Sequence, residues 1–388
     1  MTGKEPWLQD RHNSARRPMY GHNRPDALPA EGEGVCAACR AHVLERWLLV
    51  SAQETGAQEI RGAGPDGARR NRPRVGGVCV AAAVLIAVGA GGCFAGSRAD
   101  EGGPVSASSS AMGLLGLSLP WPGEGQTSIL VEGLGSLGSK GGRRPVPIAS
   151  LTKVMTAYVV LKEHPLGDGE PGPLITVDER AAQEAFSLSE STVPLREGQS
   201  LTQRQLLELL LLPSGNNVAR LLARWDAGSQ EAFVAKMNDA ARDLGMTRTT
   251  YTGASGIEPT TVSTAEDQLV LARQAMGIPV LRTVVALRRT TVPGVSGTVV
   301  NTNRLLDRPG VIGLKTGSSS PAGGALMWAA EAGSGTKRRL VLGVVLGQRV
   351  DTTPEAGLRA ALDRSGALIE AVRDALPAVL DSRGQVRA

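Results

Sequence analysis

The run Ser150-Leu151-Thr152-Lys153, inside IASLTKVMTAY, constrains this chain more than any other feature. Residues three apart share a helix face, so the spacing predicts that the Ser150 hydroxyl meets the Lys153 amine. Leu151, Val154, Met155, Tyr158 and Val159 follow helical spacing and would bury the opposite face. Pro147 precedes the segment and Pro165 ends it, bounding a helix on both sides. A hydroxyl held against an amine is a candidate nucleophile with a candidate base.

The tetrad recurs as Ser334-Gly335-Thr336-Lys337, but there a Gly-rich stretch between two apolar runs reads as a hairpin turn with no helix to fix the pair. The first copy differs in its company. Ser214-Gly215-Asn216 follows it, then Lys315-Thr316-Gly317. Only seven lysines occur in 388 residues, and two of them fall in these motifs. Ser-x-x-Lys, Ser-Asp-Asn and Lys-Thr-Gly are the shared set of penicillin-binding proteins and class A β-lactamases. From about Thr127 to Arg349 the chain resembles a low-molecular-mass penicillin-binding protein of the D-alanyl-D-alanine carboxypeptidase family, peptidase family S11. The segments that carry the resemblance are IASLTKVMTAY, VPLREGQSLT, LLLPSGNNVARLLA, LGMTRTTYTGASGI and VIGLKTGSSSPAGG.

That resemblance implies removal of the terminal D-Ala from peptidoglycan stem pentapeptides through a serine acyl-enzyme, with β-lactams as covalent inhibitors. Ser150 would attack, and Lys153 would accept its proton. A free lysine titrates near 10.4, so Lys153 must be depressed, and a second buried cation, the family's partner Lys315, would do it. Ser214 would relay the proton to the departing amine, and Asn216 would bind the acyl-side amide. Lys315, Thr316 and Gly317 would line the cleft from an edge strand. There Thr316 would take the terminal carboxylate, and Gly317 would leave room for substrate to pair with the strand. The Ser150 and Ser318 N–H groups would form the oxyanion hole. No cofactor and no metal is implied.

Each motif also has a bland reading: an inter-helix turn for Ser214-Gly215-Asn216 and a strand end for Lys315-Thr316-Gly317. His164 reads as a solvated helix terminus, Glu266 and Asp267 as capping residues, Arg349 as a solvated arginine. Many relatives carry an arginine ahead of the final helix, where Pro354 stands here, which weakens the expected grip on a substrate carboxylate. Three alternatives to the carboxypeptidase reading remain. A D,D-endopeptidase cutting cross-links uses the same motifs, and a non-catalytic β-lactam sensor keeps them. A β-lactamase of class A needs a Glu-x-x-x-Asn glutamate, and no asparagine here has a glutamate four residues before it.

Between Arg74 and Arg98 lie 23 uncharged residues, long enough to span a bilayer. Arg69, Arg70, Arg72 and Arg74 sit upstream, so the positive-inside rule places the catalytic part outside a bacterial cell membrane. A signal anchor, a cleaved signal peptide ending near Ala95 and Ser97, and a lipid-modified Cys93 all give that result. Larger family members add a β-rich domain and a C-terminal amphipathic anchor, while this chain ends soon after a closing helix, so membrane attachment is expected through Gly76–Ser97. Residues 1–75 are rich in Arg, Gly, Pro and Glu and are expected to be disordered. Cys36 and Cys39, with His22 and His42 nearby, lack a full zinc ligand set. Residues 98–123 read as a Gly/Ser/Pro linker, and 124–388 as the catalytic domain. The net charge of +5 is mild and no basic cluster is interleaved with aromatics, which argues against nucleic acid as a partner.

Within 124–388 the pattern predicts a strand at Thr127–Glu132 and helices at Thr202–Leu212, Asn217–Arg224 and Gln230–Leu244. A hairpin of Ala325–Ala330 with Leu340–Leu346 and a closing helix at Glu355–Leu380 follow. This order fits an α+β fold, an antiparallel sheet packed with a helical cluster, as in serine β-lactamases and penicillin-binding proteins.

Overall fold

Ala325, Met327 and Ala329 alternate with Leu326, Trp328 and Ala330, all of them buried, so this strand must be covered on both faces. A computed structural model of the protein, describing residues 118–385, shows the two layers that cover it. The sheet has five strands: β1 (Gln126–Val131), β2 (Gly135–Lys140), β3 (Val311–Ser319), β4 (Gly323–Ala332) and β5 (Arg339–Gln348). Their order is β2-β1-β5-β4-β3, antiparallel throughout. The strand carrying Lys315-Thr316-Gly317 is therefore an edge, as the sequence predicts.

On one face, Leu326, Trp328, Ala330, Val341 and Val345 pack with Leu368, Ile369, Val372 and Leu376 of the closing helix, Pro354–Gln385. Leu119 and Trp121, within the stretch expected as linker, join this layer. On the other face, Ala325, Met327, Ala329, Leu342 and Val344 meet a helical cluster. Its members are α1 (Thr152–Glu163), α2 (Glu179–Glu184), α3 (Gln203–Leu211), α4 (Asn216–Ala227), α5 (Gln230–Asp243), α6 (Ala265–Met276) and α7 (Pro279–Ala286). The closing helix is α8. Lys315 pairs with Met327 and Gly317 with Ala325, so the register turns both motif residues toward the helical side.

Local chemistry sets the helix ends. Thr202 and Gln205 form a reciprocal capping box at the start of α3, and Thr264 caps α6. The cap is Thr264 itself. The Asp267 carboxylate, expected as a cap, instead accepts from Arg248 N at 2.9 Å and Thr249 Oγ1 at 2.7 Å. Ser334–Lys337 lies at the exposed β4–β5 hairpin end, where Gly335–Lys337 form a 3-10 turn. Among the described residues no single helix is long and apolar enough to cross a membrane. The expected span at 76–97, the linker before residue 118 and the Cys36–Cys39 pair lie outside the described residues.

Candidate active site

Ser150 does not sit on α1 itself. It is the middle residue of a 3-10 turn, Ala149–Leu151, that runs directly into the helix. In 3-10 winding residues i and i+3 eclipse, so the expected pair still meets: Lys153 Nζ donates to Ser150 Oγ at 2.9 Å. Ala149 enters the turn at φ +45°, a conformation costing an L residue about 1–2 kcal/mol. Two glycines distant in sequence hold the turn in place. A Cβ on Gly256 would lie 2.0 Å from the Ala149 carbonyl oxygen; one on Gly317 would lie 3.0 Å from Ile148 O and 3.1 Å from Ser150 N. The bare face of Gly317 thus lies against the nucleophile's own turn.

Lys153 is fully buried, and its amine has two further acceptors, Asn216 Oδ1 at 2.5 Å and the Ser255 carbonyl at 2.8 Å. Burial first, then the charges of Lys315 and Arg220, hold this amine well below its ordinary range; Glu190 and Glu258 pull the other way. Lys315 is equally buried, donates to the Thr316 carbonyl at 3.0 Å, and is pushed by burial down to about 7. Two amines share one interior, and neither holds its proton as a surface lysine does.

The remaining motif residues are placed less simply. Asn216 begins α4 and is engaged at both ends, because its Nδ2 donates to Glu190 Oε2 at 2.5 Å. Ser214 is buried at φ +69°, and its hydroxyl has no hydrogen-bond partner among the described residues. The structure therefore joins Ser150, Lys153 and Asn216 in one network and leaves Ser214 outside it. The Thr316 hydroxyl lies 2.6 Å from that of Thr302, which donates to the Leu212 carbonyl at 3.2 Å. With the Thr302 proton committed to that carbonyl, Thr316 is the donor between the two hydroxyls.

A cleft of about 540 Å³ opens over the nucleophile, lined among others by Ser150, Glu190, Asn216, Ile257, Ser318 and Glu355. Pro354 lines it as well, and no arginine does. Arg349 is exposed at φ +52°. His164 is not simply solvated: its ring stacks 4.1 Å from that of Trp225, and its Nε2 lies 3.1 Å from Asp226.

Sequence reasoning assigned no role to Glu190, Ser255, Thr302 or Asn217. Asn217 ties the 190–193 loop to α4, exchanging hydrogen bonds with Val193 N and O at 3.0 and 2.9 Å. Ser255 lies inside GASGI, which pointed to the site without saying that a carbonyl matters there. Nothing in the sequence flags Glu190.

This geometry is that of a serine acyltransferase, and comparison with known proteins decides the family. Residues 133–349 match the profile of D-alanyl-D-alanine carboxypeptidases, peptidase S11. The chain belongs to the D-alanyl-D-alanine carboxypeptidase family. Over 207 residues it is 38% identical to the D-alanyl-D-alanine carboxypeptidase DacB2 of Mycobacterium tuberculosis, covering 52% of this chain and 67% of that one. A D-alanyl-D-alanine endopeptidase of Pseudomonas aeruginosa is 39% identical over 132 residues, 33% of this chain and 40% of its own. The crystal structure of the Streptomyces K15 DD-transpeptidase superposes with a TM-score of 0.57 at 29% identity, covering 66% of this chain and 98% of the other. These likenesses bear out the low-molecular-mass penicillin-binding protein reading and the α+β fold. The region shared with the carboxypeptidase family contains all eight predicted site residues, from Ser150 to Ser318.

Proposed function

We propose that the protein is a serine D-Ala-D-Ala carboxypeptidase that removes the terminal D-Ala of peptidoglycan stem pentapeptides. The observation that carries this reading is the buried Lys153 amine, depressed in pKa and 2.9 Å from Ser150 Oγ. As a neutral amine it accepts the Ser150 proton while Oγ bonds to the carbonyl carbon of the penultimate D-Ala. The Ser150 and Ser318 N–H groups stabilise the oxyanion. Collapse breaks the C–N bond, and the proton passes from Lys153 to the leaving amine, by way of the Ser214 hydroxyl once substrate gives that hydroxyl partners. Water then releases the acyl group. β-Lactams enter by the same attack and remain attached as esters.

Cross-link cleavage by the same machinery is the second reading. Glu190 and Glu355 give the cleft two carboxylates, with no arginine among its lining residues, so it carries little to demand a free C-terminal carboxylate. Incubation with a muropeptide mixture separates the two. Free D-Ala with tetrapeptide monomers is the expected product; conversion of cross-linked dimers with pentapeptides untouched would replace the first reading with the second.

For the substrate to be within reach, the catalytic part must lie outside the membrane, and the arginine cluster before the uncharged segment at 76–97 supports that topology. The full chain is expected to partition with bacterial membranes, or to be exported after cleavage. Uncleaved protein in the cytosolic fraction would overturn this placement.

A further inference from the structure

We propose that Glu190 is a positioning residue that locks the Asn216 amide with its oxygen toward Lys153, so that the lone pair of the neutral amine is left for Ser150. This rests on the reading above, that Lys153 is the acylating base.

Counting protons gives the reason. A neutral lysine amine has two N–H groups and one lone pair. Three groups face it within hydrogen-bond distance: Ser150 Oγ, Asn216 Oδ1 and the Ser255 carbonyl. The carbonyl of Ser255 only accepts. If Asn216 also presents its oxygen, both N–H groups are used and the lone pair points at the Ser150 hydroxyl. If the amide is reversed, Nδ2 competes with Ser150 for that lone pair. An asparagine amide is nearly symmetric in shape, so only its hydrogen-bond partners decide which way it faces.

Glu190 makes the decision. Its ionised carboxylate cannot donate, and its Oε2 lies 2.5 Å from Asn216 Nδ2. Burial would raise this carboxyl, but hydrogen bonds from Arg220 and Asn216 outweigh it and hold it below the usual range. Arg220 grips both oxygens, at 2.8 and 3.1 Å, and itself bonds Glu184 at 2.9 Å. The loop bearing Glu190 is pinned to α4 by Asn216 N donating to Ser191 O at 2.8 Å and by the two Asn217–Val193 bonds. The carboxylate thus has a fixed place, and the chain Arg220–Glu190–Asn216–Lys153 runs to the nucleophile.

The charges facing Lys153 are Lys315 and Arg220, which lower its pKa, and Glu190 and Glu258, which raise it. Loss of the Glu190 charge therefore moves the acid limb of acylation to lower pH, while loss of the amide lock lowers the plateau. Those two effects are separable: the shift of the limb follows from the charge alone, and only the lowered plateau reports the amide lock.

The test measures the rate of labelled-penicillin attachment against pH for the full-length protein, Glu190→Gln, Asn216→Asp and the double variant. Glu190→Gln can present an amide N–H to Asn216 and permit reversal, so its plateau is expected to fall about tenfold, the scale of one lost buried hydrogen bond. Asn216→Asp sets two carboxylates against each other and is expected to fall further. The double variant exchanges donor and acceptor: the amide N–H of Glu190→Gln donates to one carboxylate oxygen of Asn216→Asp, whose other oxygen accepts from Lys153. Its plateau is expected to exceed that of both single variants, with an acid limb above that of Glu190→Gln because the negative charge now touches the base. A Glu190→Gln plateau equal to wild type, or a double variant no faster than the slower single, overturns the proposal. Should Glu190→Gln alone misfold, the comparison of Asn216→Asp with the double variant still decides. Failure of the underlying reading shows elsewhere, as acylation that survives Lys153→Arg.

Discussion

Replacing Ser150 with alanine is expected to abolish covalent labelling by penicillin and to lower peptide turnover by roughly 10⁴-fold or more. The fold gives reason to expect loss of chemistry without collapse. Ser150 is only partly buried, it lines the cleft, and among the described residues its hydroxyl hydrogen-bonds the Lys153 amine. That amine keeps Asn216 Oδ1 and the Ser255 carbonyl when the hydroxyl is removed. Mass spectrometry of the penicillin-treated variant checks it. Label retained at any other serine, Ser214 and Ser334 included, would sink the assignment.

Lys153→Arg should be nearly as damaging, for a different reason. Arginine keeps the charge but does not release its proton in proteins, so acylation should collapse while the folded state persists. Lys315→Ala makes the finer test. Lys315 is the largest charge effect on the Lys153 amine after burial, and removing it lets the Lys153 pKa rise. Acylation needs the neutral amine, so its acid limb should move to higher pH in that variant. Lys315 is itself brought by burial to about 7, so its field on Lys153 weakens as pH passes neutrality. The difference between wild type and Lys315→Ala is therefore expected to be largest below pH 7 and to shrink above it. Acylation rate followed against pH in both proteins decides the matter; coincident acid limbs would mean that Lys315 serves the substrate alone.

Much of this site could be read from local spacing. Ser150 and Lys153 meet because three residues of helical winding bring them together, whether 3-10 or α. Lys315-Thr316-Gly317 lies on an edge strand because the apolar runs after it form a hairpin whose first strand pairs with it. Pro147 and Pro165 mark the bounds of the segment that carries the nucleophile. What escaped is what spacing cannot encode. Glu190 reaches Asn216 across 26 residues of chain, by way of a loop whose course depends on Asn217. The seat of Gly317 against the Ser150 turn joins positions separated by most of the domain. The 3-10 turn at Ala149–Leu151 has room because Gly256 and Gly317, both distant in sequence, carry no Cβ. The relay role of Ser214 rests on its motif, while its left-handed backbone and the lack of a hydrogen-bond partner for its hydroxyl among the described residues are not encoded in spacing.

The seating of the nucleophile has a consequence for how the protein comes to be active. The Ser150 turn is clamped by Gly256 from one direction and by Gly317 from another, both far along the chain. Contacts of such wide sequence separation carry a loop-closure cost that delays them in folding. A chain with its helices formed but its edge strand undocked would hold Ser150 in a relaxed turn. Its Lys153 would then lack the neighbouring Lys315 charge that helps to depress it. Such a chain has every catalytic residue and no catalyst. The reactive serine is thus expected to mature only when the edge strand docks on the helical layer, and acylation by a β-lactam is expected to begin only then.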